Sequence, residues 1–450
     1  MNKKNKHLFA LGLMLCSTFT SIQAQKQWTL QECLNYALEN NIQLKQNKIS
    51  ALSNEVEVKS SKAALFPNLS FSTNQSGSWR PYSLSTVSLT NGTMTTSKST
   101  TSYNGSYGLN ANWTVWNGGK NTKNIKKSKY ALQESELETQ ETANSIQEQI
   151  AQLYIQILYE TEAVKVNEEM IKASKLQRDR AQEMVNVKLL TKVDLAQLEA
   201  QVTQDEYSLV NVQSQLANYK LQLKQLLEIH DEGDFEVALP QVSDNSVLAS
   251  IPSKTSVYQA SLRTRPEILR NQLSIESSNL DIAIAKAGIL PTISLTAGIG
   301  SNNSSGNKGV NFGQQLKNNW SNTIGLTISV PILDQRSTKS AVEKAKLSVE
   351  SSKLNLENAQ KKLYSDIETY WLNATTAQQQ YRYAKTNTES MEKSYDLVSE
   401  QFRLGLKNIV ELTTGKNNLL SAKQQMIQAK YTSLYNLAML KFYSGESIKL

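Results

Sequence analysis

The second half of this chain repeats the first, and that repeat constrains the fold more than any single motif. Ala64-Leu-Phe-Pro-Asn-Leu lines up with Gly288-Ile-Leu-Pro-Thr-Ile at an offset of 224 residues, and Ala37-Leu38 lines up with Ser261-Leu262 at the same offset. Farther on, Val115-Trp-Asn matches Ile332-Leu-Asp, and Val193-Asp-Leu matches Val410-Glu-Leu, now at 217. The whole shortfall of the second copy lies between Pro291 and Ile332, which points to a loop of variable length there. Each copy reads in the same order: helix, strand, loop, strand, long helix, tip, helix.

The strands are legible as alternation. In the run from Tyr107 to Val115 every second residue is apolar and the others are small or polar. The run Trp320, Asn322, Ile324, Leu326, Ile328, Val330, Ile332 behaves alike against Ser321, Thr323, Gly325, Thr327 and Ser329. Shorter versions follow each proline: Leu69 and Phe71, then Ile293, Leu295, Ala297 and Ile299. A period of two with one apolar face and one small, polar face is the pattern of a membrane β-strand. The soluble alternative, a sandwich strand, lacks a partner sheet within a helical pattern. The expected strands are about 68–76, 103–116, 292–300 and 320–333, with exposed loops over Ser72 to Ser102 and Gly300 to Asn319. Four strands cannot close a barrel, and an open sheet in lipid would leave unpaired edges. The chain therefore has to share a barrel with further copies.

The helices are long and polar. Ile150, Ile157, Val164 and Ile171 recur every seven residues in the first copy, and Leu347 and Leu354, then Leu356, Leu363 and Tyr370, share the spacing in the second. No glycine or proline interrupts either long helix. From strand end to tip both copies advance 72 positions, Gly119 to Thr191 and Arg336 to Asn408. At 1.5 Å per residue that is roughly 108 Å. Asp194–Glu228 combined with Lys254–Leu290, and Glu411–Tyr443 combined with Trp28–Phe66, reach the same length. Two half-length helices stacked end to end would match one long helix. This predicts a cylinder with a waist at residues 229–253, a linker carrying Gly233, Pro240 and Pro252.

Composition narrows the function. Only 7% of residues are aromatic, which suits long polar helices better than a large globular core. The net charge of +8 includes Lys3, Lys4 and Lys6, and the remaining charges are interspersed, which disfavours nucleic acid as a partner. Those lysines precede the apolar stretch Leu8 to Cys16, and residues 1–24 read as a secretory signal ending at Ala24. Cys16 could carry a lipid, but Leu15 before it is larger than a lipoprotein signal prefers. Cys33 and His230 are then the sole cysteine and histidine of the mature chain, so no disulfide, His/Cys metal site or nucleophilic triad can be assembled. No cofactor and no enzymatic activity are expected. Gly118-Gly-Lys-Asn-Thr lacks the spacing of a phosphate loop and reads as a turn. Asn91-Gly-Thr and Asn112-Trp-Thr match short glycosylation sequons that arise by chance. No later segment reaches the roughly 18 apolar residues of a membrane helix, so a membrane could be crossed only by strands.

Several motifs carry a family likeness in their order and spacing. They are Trp28-Thr-Leu-Gln-Glu-Cys-Leu-Asn-Tyr-Ala-Leu, the prolines Pro67 and Pro291, Val115-Trp-Asn-Gly-Gly, Arg263-Thr-Arg-Pro-Glu, Val330-Pro-Ile-Leu-Asp and Arg403-Leu-Gly-Leu-Lys-Asn-Ile-Val-Glu-Leu. With them the chain resembles the TolC family of outer-membrane factors over essentially its whole mature length. The resemblance implies a homotrimer with a twelve-stranded β-barrel in outer-membrane lipid, on a periplasmic α-helical coiled-coil tunnel. It implies docking to a periplasmic adaptor and an inner-membrane pump of RND, ABC or MFS type, as the exit duct of efflux or type I secretion. In this reading residues 25–228 and 254–450 are the two structural repeats, with helical hairpins 122–228 and 336–443.

The resemblance also places a gate at the hairpin tips. Asp194 falls where the family has a tip acid, Lys407 where an arginine bridges to it, and Glu411 where an acid rings the pore. Phe402 and Thr414 replace a tyrosine and a second acid, and Lys188 stands where the first tip has glycine. The plain alternative for Asp194 and Glu411 is a helix-terminal anion favoured by the dipole. Leu189, Leu190, Leu404, Gly405 and Leu406 are either hairpin core or an adaptor contact. Two other classes compete with the duct. A periplasmic coiled-coil adaptor would need a β-rich domain between its helix arms, and an enzyme on a helical stalk would need a catalytic cluster.

Overall fold

The computed structural model describes residues 27–449, apart from 91–92, 231–232, 234 and 307–308, and leaves aside the side chains of 83–99. The signal segment 1–24, Cys16 and the sequon at Asn91 therefore lie outside the described residues or side chains. In chain order the elements are β1 (Gln27–Trp28), α1 (Leu30–Asn40), α2 (Ile42–Ala63), β2 (Asn68–Thr90), β3 (Thr93–Asn117), α3 (Lys120–Asn186), α4 (Lys192–Leu226), β4 (Glu236–Val237) and α5 (Asp244–Val247). The second copy follows with α6 (Lys254–Thr264), α7 (Pro266–Lys286), β5 (Thr292–Ser304), α8 (Phe312–Asn318), β6 (Ser321–Ser329), α9 (Ser337–Arg403) and α10 (Ile409–Tyr443).

The repeat extends to backbone geometry. The long helices α3 and α9 are both 67 residues, about 100 Å, and the return helices α4 and α10 are both 35. Left-handed backbone recurs at matched positions: Gly118 and Gly119 with Gln335 and Arg336, Lys188 with Gly405, Glu228 with Gly445. Both tips restart with a capping box, Thr191 with Asp194 and Asn408 with Glu411.

β2, β3, β5 and β6 form one antiparallel sheet in that order. Its register sorts the side chains into two faces. One carries the rows Trp116–Ile293–Ile328, Trp113–Leu295–Leu326, Leu69–Ala111–Ala297–Ile324 and Phe71–Leu109–Ile299. The other carries Asn68–Asn112–Thr296–Gly325, Ser70–Asn110–Gly298–Thr323 and Ser72–Gly108–Gly300–Ser321. Most large side chains of the apolar face stand exposed in the single chain, Ile324 and Phe71 among them, while Ile293 and Leu295 are half-buried. Four rows at about 6.8 Å per pair of residues make an apolar band roughly 20 Å tall.

Three expectations are corrected. Within the Ser/Thr-rich stretch 72–102, residues 72–90 and 93–102 are strand rather than loop: β2 and β3 continue as a two-stranded ribbon well past the end of β5. Threonine favours strand, and the one register shift, between Trp79 and Leu84, brackets Pro81, which has no N–H for the ladder. The second loop likewise contains a helix, α8, begun by Asn311 accepting from Gln314 N at 2.8 Å. The stacking partners are also exchanged. The end of α4 meets the α1–α2 joint, where Asn41 Nδ2 donates to Leu226 O (3.3 Å). The end of α10 meets the α6–α7 joint, where Ser261 Oγ donates to Tyr443 O (2.6 Å). Asn41 and Arg265 are both extended, with ψ of 130° and 125°, and break each upper helix, so α2 continues α4 and α7 continues α10.

The main core sits at this waist. Ile150, Tyr154, Ile157, Leu223, Ile268, Ile367, Met439 and Leu440 are buried together with Cys33 of α1. Alternation could not reveal β1 and β4, a two-residue parallel pair that fastens the N-terminus to the linker. Tyr154 Oη donates to Ala238 O at 2.6 Å from beneath it. The linker crosses to the second copy through Asp244, which accepts from Tyr381 Oη at 2.7 Å and pairs with Lys385.

Candidate functional site at the hairpin tips

Each tip reverses the chain in five residues. At the first, Leu189 N donates to Met184 O (2.8 Å) across Lys188, whose φ is 63°. At the second, Leu406 N donates to Gln401 O (2.9 Å) across Gly405, whose φ is 75°. This αL closure ties off the orphan carbonyls of the descending helix. Below it a small core of Met170, Ala181, Leu198, Tyr395, Phe402, Ile409 and Leu412 holds the two hairpins together. Phe402 is buried in it as packing.

The acids follow immediately. Asp194 accepts from Thr191 N (3.0 Å) and from Thr191 Oγ1 (2.7 Å), and these hydrogen bonds hold its carboxyl below the usual carboxylate range. Glu411 is lowered in the same direction, first by Lys407, which donates to its Oε1, and then by Asn408 N. Within the chain Lys407 thus pairs with Glu411 one turn on, and the Lys407–Asp194 bridge is not formed. The plain capping role is satisfied at both acids.

The leucines divide. Leu190 packs against the tip core, whereas Leu189, Leu404 and Leu406 are exposed by 72%, 58% and 71%. Val187, Val193 and Val410 are exposed beside them. These six occupy three matched positions of the repeat, 187 with 404, 189 with 406 and 193 with 410. Gly405 has open space where a Cβ would stand.

Sequence reasoning missed the interior of the seam between the hairpins. Lys416 of α10 is buried and donates to Asp205 of α4 and to Ser174 Oγ of α3 (3.0 Å). Ser174 donates on to Asp205 Oδ2 (2.5 Å), and Gln201 Nε2 donates to Asp205 Oδ1 (2.8 Å). Higher on the same seam Lys423 reaches Glu169 (3.2 Å) and Lys430 reaches Glu162 (2.6 Å). Lys416, Lys423 and Lys430 recur every seven residues, as do Glu162 and Glu169. The signal for it is a heptad of charge, which runs beside the apolar heptads and is not visible in them.

At the waist a second polar node surrounds Arg265. It bonds Glu267 (2.8 Å) and Glu148 (3.2 Å) and stacks 4.2 Å from the Tyr443 ring. Burial raises the carboxyls of Glu148 and nearby Asp366, and a cleft of about 540 Å³ opens beside them. Among the described residues no group of His, Cys, Asp and Glu is placed to hold a metal ion, and no helix is long and apolar enough to cross a membrane.

A profile of the outer membrane efflux protein family matches residues 33–228 and 257–446, both copies of the repeat. The chain belongs to that family. Outer membrane protein TolC of Salmonella enteritidis is 24% identical to it over 66% of this chain, a match spanning 60% of that protein's own length. Outer membrane efflux protein BepC of Brucella suis is 21% identical over 95% of this chain and 88% of the relative. Among solved structures the fold is similar to CusC, with a TM-score of 0.78 at 16% identity over 92% of this chain and 91% of that one. It is also similar to the open state of the MtrE outer membrane channel of Neisseria gonorrhoeae, with a TM-score of 0.74 at 19% identity, covering 93% and 89%.

Proposed function

We propose that this member of the family is one subunit of an outer-membrane exit duct, a passive conduit serving a tripartite efflux pump or a type I secretion system. One observation carries the reading. A four-stranded sheet with an exposed apolar face and a small, polar reverse face continues directly into paired helices about 100 Å long. The apolar rows face outer-membrane lipid, and the small, polar rows line water. The free edges of β2 and β6 pair with neighbouring copies, and three chains close a twelve-stranded barrel. The helices then extend through the periplasm to the tips.

The tips serve as gate and socket. Asp194, Lys407 and Glu411 set the charge at the constriction, where a ring of acids favours cations. Leu189, Leu404 and Leu406, turned out by the αL residues Lys188 and Gly405, offer an apolar contact to a periplasmic adaptor. Leu190 supports that contact from the tip core. The adaptor connects the duct to an inner-membrane pump of RND, ABC or MFS type, which selects the cargo. The competing reading as an adaptor would need a β-rich domain between the helix arms, and no observation favours it.

Planar-bilayer recording of protein extracted from outer membranes tests the proposal. Discrete, long-lived, cation-preferring steps are expected. Silence from folded oligomers, persisting when Lys407 and Glu411 are both replaced by alanine, would sink the duct.

A further inference from the structure

Just beyond the apolar band, the β5–β6 connection folds back over the sheet as α8. Ser301 and Asn303 continue the face of Leu295 and Ile299 by alternation. α8 covers this face: Ser301 Oγ donates to Leu316 O (2.8 Å), and Ser304 N donates to Gln315 Oε1 (2.8 Å). Asn303 and Gln315 are buried there. The helix therefore lies on the apolar side of the sheet, and not over the small, polar reverse face.

Aromatic groups collect at this level. Tyr107, the register partner of Ser301, meets the ring of Phe312 edge-on, at 6.4 Å and 82°. Phe312 nonetheless remains half exposed. Trp320, on the face of Ile324, Leu326 and Ile328 by alternation, is exposed as well, and so is Lys317 in the last turn of α8. Tryptophan and tyrosine, rings with one polar edge, gather where hydrocarbon gives way to headgroups; phenylalanine seats the apolar face of interfacial helices, and lysine beside them meets lipid phosphate. Among the described residues the first copy shows no such helix, because β2 and β3 run on as a ribbon at that height.

We propose that α8 is an interfacial collar. It lies flat in the headgroup layer of the outer leaflet, seated by Phe312 and Trp320, with Lys317 toward lipid phosphate. The proposal rests on the reading of the apolar rows as lipid-facing, and its occupant is lipid rather than protein.

The test uses the full-length oligomer in phosphatidylcholine vesicles. Cys33 is buried, so Gln314→Cys gives an accessible labelling site for a fluorophore. Nitroxide-bearing lipids then quench it, either from the headgroup or from mid-chain. Quenching by the headgroup probe at least twofold stronger than by the mid-chain probe is expected, and Phe312→Ser with Trp320→Ser should roughly halve it. Leu326→Cys, or Ile324→Cys if that variant folds poorly, reports on the band itself and should be quenched from mid-chain. Quenching in the band with none at position 314 overturns the collar alone. Stronger mid-chain quenching at 314, or no change on losing both aromatics, also overturns it. Silence at both places removes the lipid-facing reading beneath it.

Discussion

Lys416 and Asp205 are 211 residues apart in sequence and form an ion pair sealed inside the seam between the two hairpins, with side chains exposed by only 4% and 9%. A buried pair gains little over well-packed apolar groups, but losing one partner strands the other. Asp205→Ala is therefore expected to destabilise the lower helices by about 3–5 kcal/mol. Lys416→Met with Asp205→Leu should come within about 1 kcal/mol of the parent or exceed it. Thermal unfolding in detergent, with this double variant beside each single one, checks the pattern. Equal losses in all three would mean that the pair itself supplies the stability.

Lys407 shields Glu411 within its own chain. Lys407→Ala should bare that carboxylate, raising both conductance and cation preference, and Glu411→Gln should lower cation preference. The reversal potential across a KCl gradient reads both. If neither variant moves it, the tip acids lie away from the ion path.

The first tip bends at a lysine where the second uses glycine. A side chain in left-handed backbone costs about 1–2 kcal/mol per residue. Lys188→Gly is expected to recover part of this, offset by the greater freedom of glycine in the unfolded chain. Gly405→Ala should lose a similar amount, since its φ is 75° although nothing crowds the site. Melting temperatures of the two variants should move in opposite directions; a shared direction would contradict this.

Acidification should loosen the tips before the waist. The carboxyls of Asp194 and Glu411 are lowered in the folded state, so the unfolded chain binds their protons first. The stability they contribute is present above the ordinary carboxylate range and is lost as pH falls through the lowered values. Glu148 and Asp366 are raised by burial and run the other way, since their cost to the fold is relieved as pH falls through the raised values toward the ordinary carboxylate range. Hydrogen exchange at 188–196 and 405–412, corrected for intrinsic rate, should rise more between pH 7 and pH 3.5 than at 262–268. Earlier opening at the waist would refute this assignment.

Much of the fold was legible because its signals are local and duplicated. Alternation in Tyr107 to Val115 and Trp320 to Ile332 located strands β3 and β6, and the heptads of Ile150 to Ile171 and of Leu356 to Tyr370 located α3 and α9. The ribbon of β2 and β3 was hidden because serine and threonine serve strand and loop alike. The exchange of stacking partners was hidden because length alone cannot say which helix end meets Asn41. At the tips the types and positions of Asp194, Lys407 and Glu411 could be read, but their partners could not: from the turn just before α10, Lys407 reaches the acid in that helix's first turn. Lys416 escaped notice because a lone lysine in a polar helix looks solvated until a carboxylate from another helix is found beside it.

The duplication of the tips has a consequence for stoichiometry. Each chain ends in two near-copies of one shape, with exposed apolar residues at 187, 189 and 193 answered by 404, 406 and 410. A partner that grips this shape meets twice as many seats as there are chains. Whether it fills them all or every second one depends on the places where the copies differ, Lys188 against Gly405, Leu190 against Lys407, Lys192 against Ile409 and Asp194 against Glu411 among them. Those exchanges tell odd seats from even.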